Sequence, residues 1–346
     1  MVRLHQRVLP LTVLLLSMIA GRSVEAQVIS DSITAWTELL RNGGLPQKAA
    51  AAARLAAVEP TILPSATRDV VLDVFVQLNT AMRTGVGVPG ADQLGEEGLG
   101  EYYLTLAMMT YTFDTPQARR ALALSAGGSA GVLRRAAKQG DDVIPLLVDR
   151  IRDGYAVGAA LQTLALAWFW ADSVSGPLSA RSRALIVGSL ATAAQSQSYE
   201  SRRGVATALM LSGDPVFLPL ASWLEGRASA SGDALIASAL HYDVIPTLEK
   251  EGNNLRIEEL ARRILRVLTA SCFGADNGPR RGACESLQNI VTEAIAHLWA
   301  GRTQAARNAF ESVIRRSDQA LGSNVLSAVE YVLVADGARM ILLRLF

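Results

Sequence analysis

The chain has 346 residues, of which 50% are hydrophobic and 19% charged, and its formal net charge is +1. This composition excludes an intrinsically disordered protein, because disorder requires low hydrophobicity together with high net charge. The counts of 28 glycines, 12 prolines and 2 cysteines exclude a collagen-like chain and a disulfide-dense scaffold. The near-zero net charge lacks the basic signature of nucleic-acid-binding proteins, so no nucleic-acid partner is expected.

Residues 1–26 have the pattern of a signal peptide. Arg3 and Arg7 precede an apolar stretch from Val8 to Ala20, and Val24-Glu25-Ala26 places small residues where a signal peptidase cleaves. A transmembrane helix needs roughly 20 apolar residues, so this shorter stretch favours cleavage over the alternative, an uncleaved membrane anchor. The pattern predicts a periplasmic or secreted protein with no stable membrane insertion of the mature chain.

Helical periodicity dominates the chain from residue 27 onward, and strand patterns are nearly absent. In one segment, apolar residues recur at the spacing of a single helix face: Val70, Val71, Val74, Phe75 and Leu78. This spacing predicts a helix over Thr67–Arg83 that is entered from Pro64-Ser65 and ends near Gly85. We therefore expect an N-terminal helical section over 27–84, a glycine-rich loop over 85–100, and a helical repeat domain over 101–346.

Two segments share a turn in which Gly-Asp ends one helix and a proline follows early in the next. Gly213-Asp214 is followed by Pro219, and Gly140-Asp141 is followed by Pro145. Glycine favours a helix end, aspartate caps the next helix, and proline is tolerated in a first turn. A third, degenerate copy ends at Pro246. The recurrence indicates repeated helix pairs.

The segment Arg203–Leu224 resembles a HEAT repeat, with arginine and alanines in one helix, then Gly-Asp-Pro, then a proline in the second helix. The segment Ala294–Asp318 resembles part of a tetratricopeptide repeat in its Ala306, Phe310 and Val313 positions, although the usual Trp-Leu-Gly positions are not met. The resemblance implies an all-α fold, an irregular α-solenoid of stacked antiparallel helix pairs. It implies no catalytic residues, because such repeats share none.

The two cysteines, Cys272 and Cys284, flank a turn-rich stretch between two helical patterns. A single pair in an exported chain is expected to form a disulfide. A metal site would need further ligands nearby, and a redox-active pair is usually C-x-x-C. No metal or cofactor is predicted.

One catalytic motif is formally present, because residues 127–131 match G-x-S-x-G around Ser129. In serine hydrolases this turn follows a strand and precedes a helix. Here the preceding residues 117–124 favour a helix, so a glycine-rich turn between helices explains the same letters. A hydrolase would also need a base, and only His241 and His297 remain once residues 1–26 are removed.

His241 is the better placed of the two histidines, because it lies with Tyr242 and Asp243 at a predicted helix boundary. A general base could be oriented at such a corner. Helix capping by Asp243 is the simpler interpretation. We expect His297 to be an ordinary residue of an amphipathic helix.

Two aromatic groups are candidate binding anchors: Trp168 with Trp170, and Tyr102 with Tyr103. Neighbouring residues of a helix point about 100° apart, so Trp168 and Trp170 do not share one narrow core stripe. One of them could line a surface groove, although burial between adjacent helices accounts for both.

Arginine doublets recur along the chain and could bind carboxylates of acidic peptides or uronic-acid-type sugars. An almost equal number of acidic residues favours ion pairs within the chain instead. The doublets lie at 119–120, 134–135, 202–203, 262–263, 280–281 and 315–316.

These features together predict a non-catalytic, exported scaffold that binds a protein or peptide partner. One alternative is an extracytoplasmic enzyme, either a serine hydrolase or an all-helical polysaccharide lyase, with Ser129 or His241 in a pocket. The other is a carrier of an apolar ligand, with a cavity lined by Met108, Met109 and Trp168.

Overall fold

The computed structural model describes residues 29–125, 130–154, 156–171, 177–274 and 278–345. Within these ranges every regular element is helical, which confirms the all-α prediction. The chain divides into two compact units, Met1–Ala121 and Leu122–Phe346, and the division lies within one helix, Pro116–Ala123. Among the described residues, no helix combines the length and apolar character needed to span a membrane.

The first unit is built from helices that bury one apolar face each. Its core includes the fully buried side chains of Leu40, Leu55, Phe75 and Leu106, one from each of its first four helices. The helices are α1 (29–42), α2 (Leu45–Ala56), α3 (Ser65–Thr84), α4 (Ala91–Phe113) and the beginning of α5 (Pro116–Ala123). Helices α2 and α3 both pack against α4.

Helix α3 agrees with the predicted helix, since it begins at Ser65 after Pro64 and ends at Gly85 with φ 66°. The left-handed conformation at that position is one that glycine adopts without steric cost. The loop predicted over 85–100 is shorter than expected, because α4 already begins at Ala91. Its glycines remain within the helix except at Gly95, which kinks it with φ 67°. Packing of α4 against α2 and α3 outweighs the cost of about 1 kcal/mol that a glycine imposes on a helix.

The second unit contains the remaining helices, and chain neighbours pack against one another along much of it. They are α6 (Ala130–Ala137), α7 (Ile144–Arg152), α8 (Val157–Trp170), α9 (Ala180–Gln195), α10 (Tyr199–Ser212), α11 (Leu218–Ala230), α12 (Ala234–Ala239), α13 (Ile245–Asn254), α14 (Ile257–Ser271), α15 (Gly278–Trp299), α16 (Thr303–Gly322), α17 (Ala328–Tyr331) and α18 (Gly337–Arg344).

The Gly-Asp-Pro turn between α10 and α11 forms as its residues predict. Gly213 ends α10 with φ 55°, and the Asp214 carboxylate accepts a hydrogen bond from the Val216 N–H at 3.2 Å. Pro219 lies in the first turn of α11, where no helix hydrogen bond is lost. The degenerate third copy differs, because α12 runs through a π-helical turn, Leu240–Val244, directly into α13. That segment lacks a glycine to end the helix.

Helices α8 and α10 form the most extensive helix contact of the second unit. They meet at Gly158 and Gly204, where the backbones approach so closely that a Cβ atom on Gly204 would lie 2.9 Å from the Gly158 Cα. Small residues at a crossing point allow this approach, and the fully buried Leu161 lies beside it, with its Cδ1 3.0 Å from the same Cβ position.

The C-terminal helices fold back onto earlier ones instead of simply extending the row. Helix α18 packs on α14 and α16. The Arg344 guanidinium donates hydrogen bonds to the carbonyls of Gly252 at 2.8 Å and Leu255 at 2.6 Å. The Gly252 carbonyl also accepts a hydrogen bond from the Leu255 N–H at 3.1 Å, so Arg344 adds a second bond at the end of α13. The stacking is therefore irregular.

Cys272 and Cys284 form a disulfide, with their Cα atoms 5.7 Å apart. Cys272 follows the end of α14, and Cys284 lies within the second turn of α15. The bond closes the junction of these two helices, as predicted for an isolated pair. Helix α15 begins at Gly278, so residues 278–283, which precede Cys284, are helical.

Candidate functional site

A buried carboxylate, that of Asp214, organises one side of the second unit. It accepts a hydrogen bond from the Trp168 indole N–H at 2.9 Å and pairs with the Arg263 guanidinium at 3.0 Å. Trp168 also packs edge-to-face on Phe217, with 5.4 Å between ring centroids. The indole is only 8% exposed, so Trp168 is chiefly a core residue that joins α8 to the Gly-Asp-Pro turn.

Arg263 links this carboxylate to a second acidic residue, Glu259, at 3.3 Å. Burial alone would lower the pKa of Arg263, but the charge of Asp214 and its hydrogen bond, with a further contribution from Glu259, raise that pKa above its ordinary value. Glu259 also pairs with Arg266 at 3.2 Å and with Arg262 at 3.5 Å. Three arginines of α14 thus share two carboxylates.

Other predicted arginine doublets form ion pairs within the chain as well. The buried Arg202 pairs with Asp233 and donates to the Ser196 carbonyl at 2.8 Å. Arg280 pairs with Glu330 at 2.6 Å. These contacts join helices that are distant in sequence, so part of the arginine content has a structural role.

The Asp214 network forms one wall of an open cleft of about 250 Å³. Phe169 stands at this cleft with 54% of its surface exposed. Arg183, in the first turn of α9, and Glu251, in α13, also line it. The side chains of Arg183 and Glu251 form no hydrogen bond or ion pair with any residue that the structure describes. A second cavity, of about 300 Å³, adjoins the cleft and shares Arg183 and Arg266 with it.

A separate groove of about 400 Å³ lies between α10 and α12 and is mainly apolar. Three large apolar side chains line it while remaining exposed: Tyr199 (43%), Met210 (42%) and Leu235 (76%). Arg203 and Asp243 border the groove, and neither side chain forms an ion pair within the described part of the chain. Sequence reasoning missed this groove, because its two helices face each other only in the folded chain.

The histidine at the π-helical turn has a carboxylate partner. The Nδ1 atom of His241 lies 2.8 Å from the Glu225 Oε1 atom, and the His241 side chain is 60% exposed. Tyr242 packs edge-to-face on this imidazole. Asp243 makes no capping bond, because the helix continues through the turn, so the predicted cap is wrong. Glu225 holds the imidazole in one orientation, as a carboxylate does for a histidine that acts as a general base. The candidate nucleophile Ser129 lies outside the described residues.

The remaining predicted anchors occupy different environments. Tyr102 is 3% exposed, and burial raises the pKa of its phenol well above the ordinary value. Its hydroxyl has no hydrogen-bond partner among the described residues. Tyr103 is half-buried and packs against Phe75, with 5.7 Å between ring centroids. Tyr102 therefore belongs to the core of the first unit, and Trp170 has its side chain outside the described part.

An apolar-ligand carrier would need a cavity lined by Met108, Met109 and Trp168. Met108 is 59% exposed, whereas Met109 is 4% exposed, so the two side chains face solvent and core respectively. In the described ranges, no group of three or more histidine, cysteine, aspartate or glutamate side chains could hold a metal ion.

Comparisons with protein-family models, with curated proteins and with solved structures found no match to this chain.

Proposed function

We propose that this protein is an exported helical scaffold that binds a segment of a partner protein in the groove between α10 and α12. The observation that carries the proposal is the exposure of Tyr199, Met210 and Leu235 along one groove. Contiguous exposed apolar side chains bordered by polar ones mark interaction surfaces. Burying these side chains against a partner removes apolar area from water, at about 25 cal/mol per Å².

The shape and charge of the groove favour an amphipathic helix as the bound segment. A groove between two helices accepts a third helix whose apolar residues recur every three or four positions. Arg203 and Asp243 at its border offer one positive and one negative charge, and neither has an ion-pair partner in the part of the chain that the structure describes. The bound helix would place an acidic residue near Arg203 and a basic residue near Asp243.

Two features support a location outside the cytoplasm. The disulfide between Cys272 and Cys284 is typical of oxidising compartments. The N-terminal pattern of residues 1–26 is that of a cleaved signal peptide. Sequencing the N-terminus of the protein recovered from its native envelope should identify Gln27 as the first residue, and a start at Met1 would contradict export by this route.

The groove is tested by affinity isolation from envelope extract with the wild-type chain and two variants. Leu235→Glu places a charge in the groove, whereas Leu343→Glu places one at a site of similar exposure on α18, 77% against 76%. A specific partner should be recovered by the wild-type protein and by Leu343→Glu but lost with Leu235→Glu. A peptide of the contacting helix should then bind the groove variant at least about tenfold more weakly.

Equal recovery of the partner by both variants would refute the groove as the binding surface. A circular dichroism spectrum and an unfolding curve of each variant establish that the fold is retained. Because both substituted leucines are exposed, neither change disturbs the core.

A further inference from the structure

The cleft beside Asp214 and the cavity that adjoins it form a basic trough, defined here by Arg183, Arg262, Arg263 and Arg266. The two cavities share Arg183 and Arg266, so the trough is continuous along α9 and α14. Its apolar lining includes Leu178 at one end and Leu265 at the other. This surface is distinct from the apolar groove between α10 and α12.

Among the described residues, positive charge exceeds negative charge along the trough, with four arginines and the three carboxylates of Asp214, Glu251 and Glu259. Asp214 and Glu259 pair with the three arginines of α14. Arg183 has no such partner among the described residues, and it is half-buried at the position where the two cavities meet. A guanidinium held in a concave, partly dehydrated site attracts an anion more strongly than one on an open surface.

The fixed ion pairs keep the trough in a defined geometry before any ligand arrives. Asp214 is held by the Trp168 indole and by the Val216 N–H as well as by Arg263. Arg263 is therefore restrained at its guanidinium, and the wall it forms has little freedom to lose on binding. Preorganisation of this kind reduces the entropic cost of association.

We propose that the basic trough binds the carboxylate side chains of an acidic peptide segment, with Arg183 as the residue that contacts a carboxylate directly. Guanidinium and carboxylate groups match in a planar, bidentate geometry. The exposed ring of Phe169 at the cleft suits an apolar residue next to the acidic one. Glu251, at the same cleft, offers a contact for a basic group of the same segment. This inference does not depend on the apolar groove.

The test is fluorescence anisotropy with a labelled Gly-Glu-Phe-Glu-Gly peptide and its Gly-Gln-Phe-Gln-Gly counterpart. We expect the glutamate peptide to bind at least about tenfold more tightly than the glutamine peptide, and Arg183→Gln to remove a similar factor. Arg181→Gln is the matched control, because Arg181 is exposed on the same helix and does not line the trough. It should leave the affinity unchanged.

Three outcomes overturn the proposal. The first is equal affinity for the two peptides, or no binding up to millimolar concentration. The second is an equal loss of affinity in Arg183→Gln and Arg181→Gln. The third is preferential binding of oligogalacturonate, which would assign the trough to an anionic saccharide. Leu235→Glu should retain full affinity for the glutamate peptide, so failure of the groove and failure of the trough are distinguishable.

Discussion

The close crossing of α8 and α10 makes a sharp prediction for the variant Gly204→Ala. The added methyl group would lie 2.9 Å from the Gly158 Cα and 3.0 Å from the Leu161 Cδ1. Leu161 could adjust its rotamer, but the Gly158 Cα is backbone and cannot turn aside. The two helices must therefore move apart at the crossing point, and we expect the variant to be less stable than the wild type.

The size of the loss follows from two opposing effects. Ordinary carbon contacts begin near 3.4 Å, so the helices must separate by roughly half an ångström. Forcing an extra carbon into a packed core costs about 1–3 kcal/mol. Replacing a mid-helix glycine by alanine returns about 1 kcal/mol through helix propensity. The expected net decrease in the free energy of unfolding is therefore up to about 2 kcal/mol.

Urea unfolding followed by circular dichroism measures this decrease against two matched controls. Gly188 in α9 and Gly226 in α11 are exposed mid-helix glycines with no heavy atom within 4 Å of an added Cβ. Alanine at either position should raise stability by about 0.5–1 kcal/mol. If Gly204→Ala is as stable as these controls, the close approach at Gly158 is not a constraint and the reasoning fails.

Three other variants test separate parts of the structure by urea unfolding. Replacing Cys272 and Cys284 by serine should lower stability by about 3 kcal/mol, and reductant should then have no further effect; an unchanged midpoint would contradict this. Asp214→Asn removes the charge facing Arg263 and should cost about 1–3 kcal/mol. Tyr102→Phe removes a buried hydroxyl without a described partner and should cost less than about 0.5 kcal/mol at neutral pH.

Tyr102 also sets a direction for the dependence of stability on pH. Burial raises the pKa of its phenol above the ordinary value of 10.0, so the unfolded chain loses this proton first. Above about pH 10 the unfolded state binds fewer protons, and the group lowers stability by up to about 1.4 kcal/mol per pH unit. The Tyr102→Phe chain should lose less stability than the wild type between about pH 10 and 11; parallel curves would contradict the assignment.

Local features of the fold were predictable where one residue type determines the backbone. Gly85 and Gly213 both adopt the left-handed conformation that ends a helix, as their positions predict. The prediction failed at Asp243, because no glycine ends α12 there and the helix continues through a π-helical turn into α13. The prediction also failed for residues 91–100. Their glycine content indicated a loop, but in the structure these residues belong to α4, which packs against α2 and α3.

The candidate sites were less predictable than the fold, because their residues meet only through tertiary structure. Trp168 was identified from the sequence, but its hydrogen bond with Asp214 spans 46 residues. Arg183 and Arg266 belong to α9 and α14, whose contact no single-helix periodicity reveals. Exposure of Leu235 likewise depends on which neighbours cover α12. Predicting such pairings requires knowing how the helices are arranged, whereas the sequence pattern indicates only that the helices exist.

The hydrogen bonds that Arg344 donates to the Gly252 and Leu255 carbonyls have a kinetic consequence. They close loops of 92 and 89 residues, so the chain loses much conformational entropy before either bond forms. We expect α18 to dock late during refolding and to detach first during partial opening. Its amide protons should accordingly exchange with deuterated solvent earlier than those of α8 and α10, which form the most extensive helix contact of the second unit.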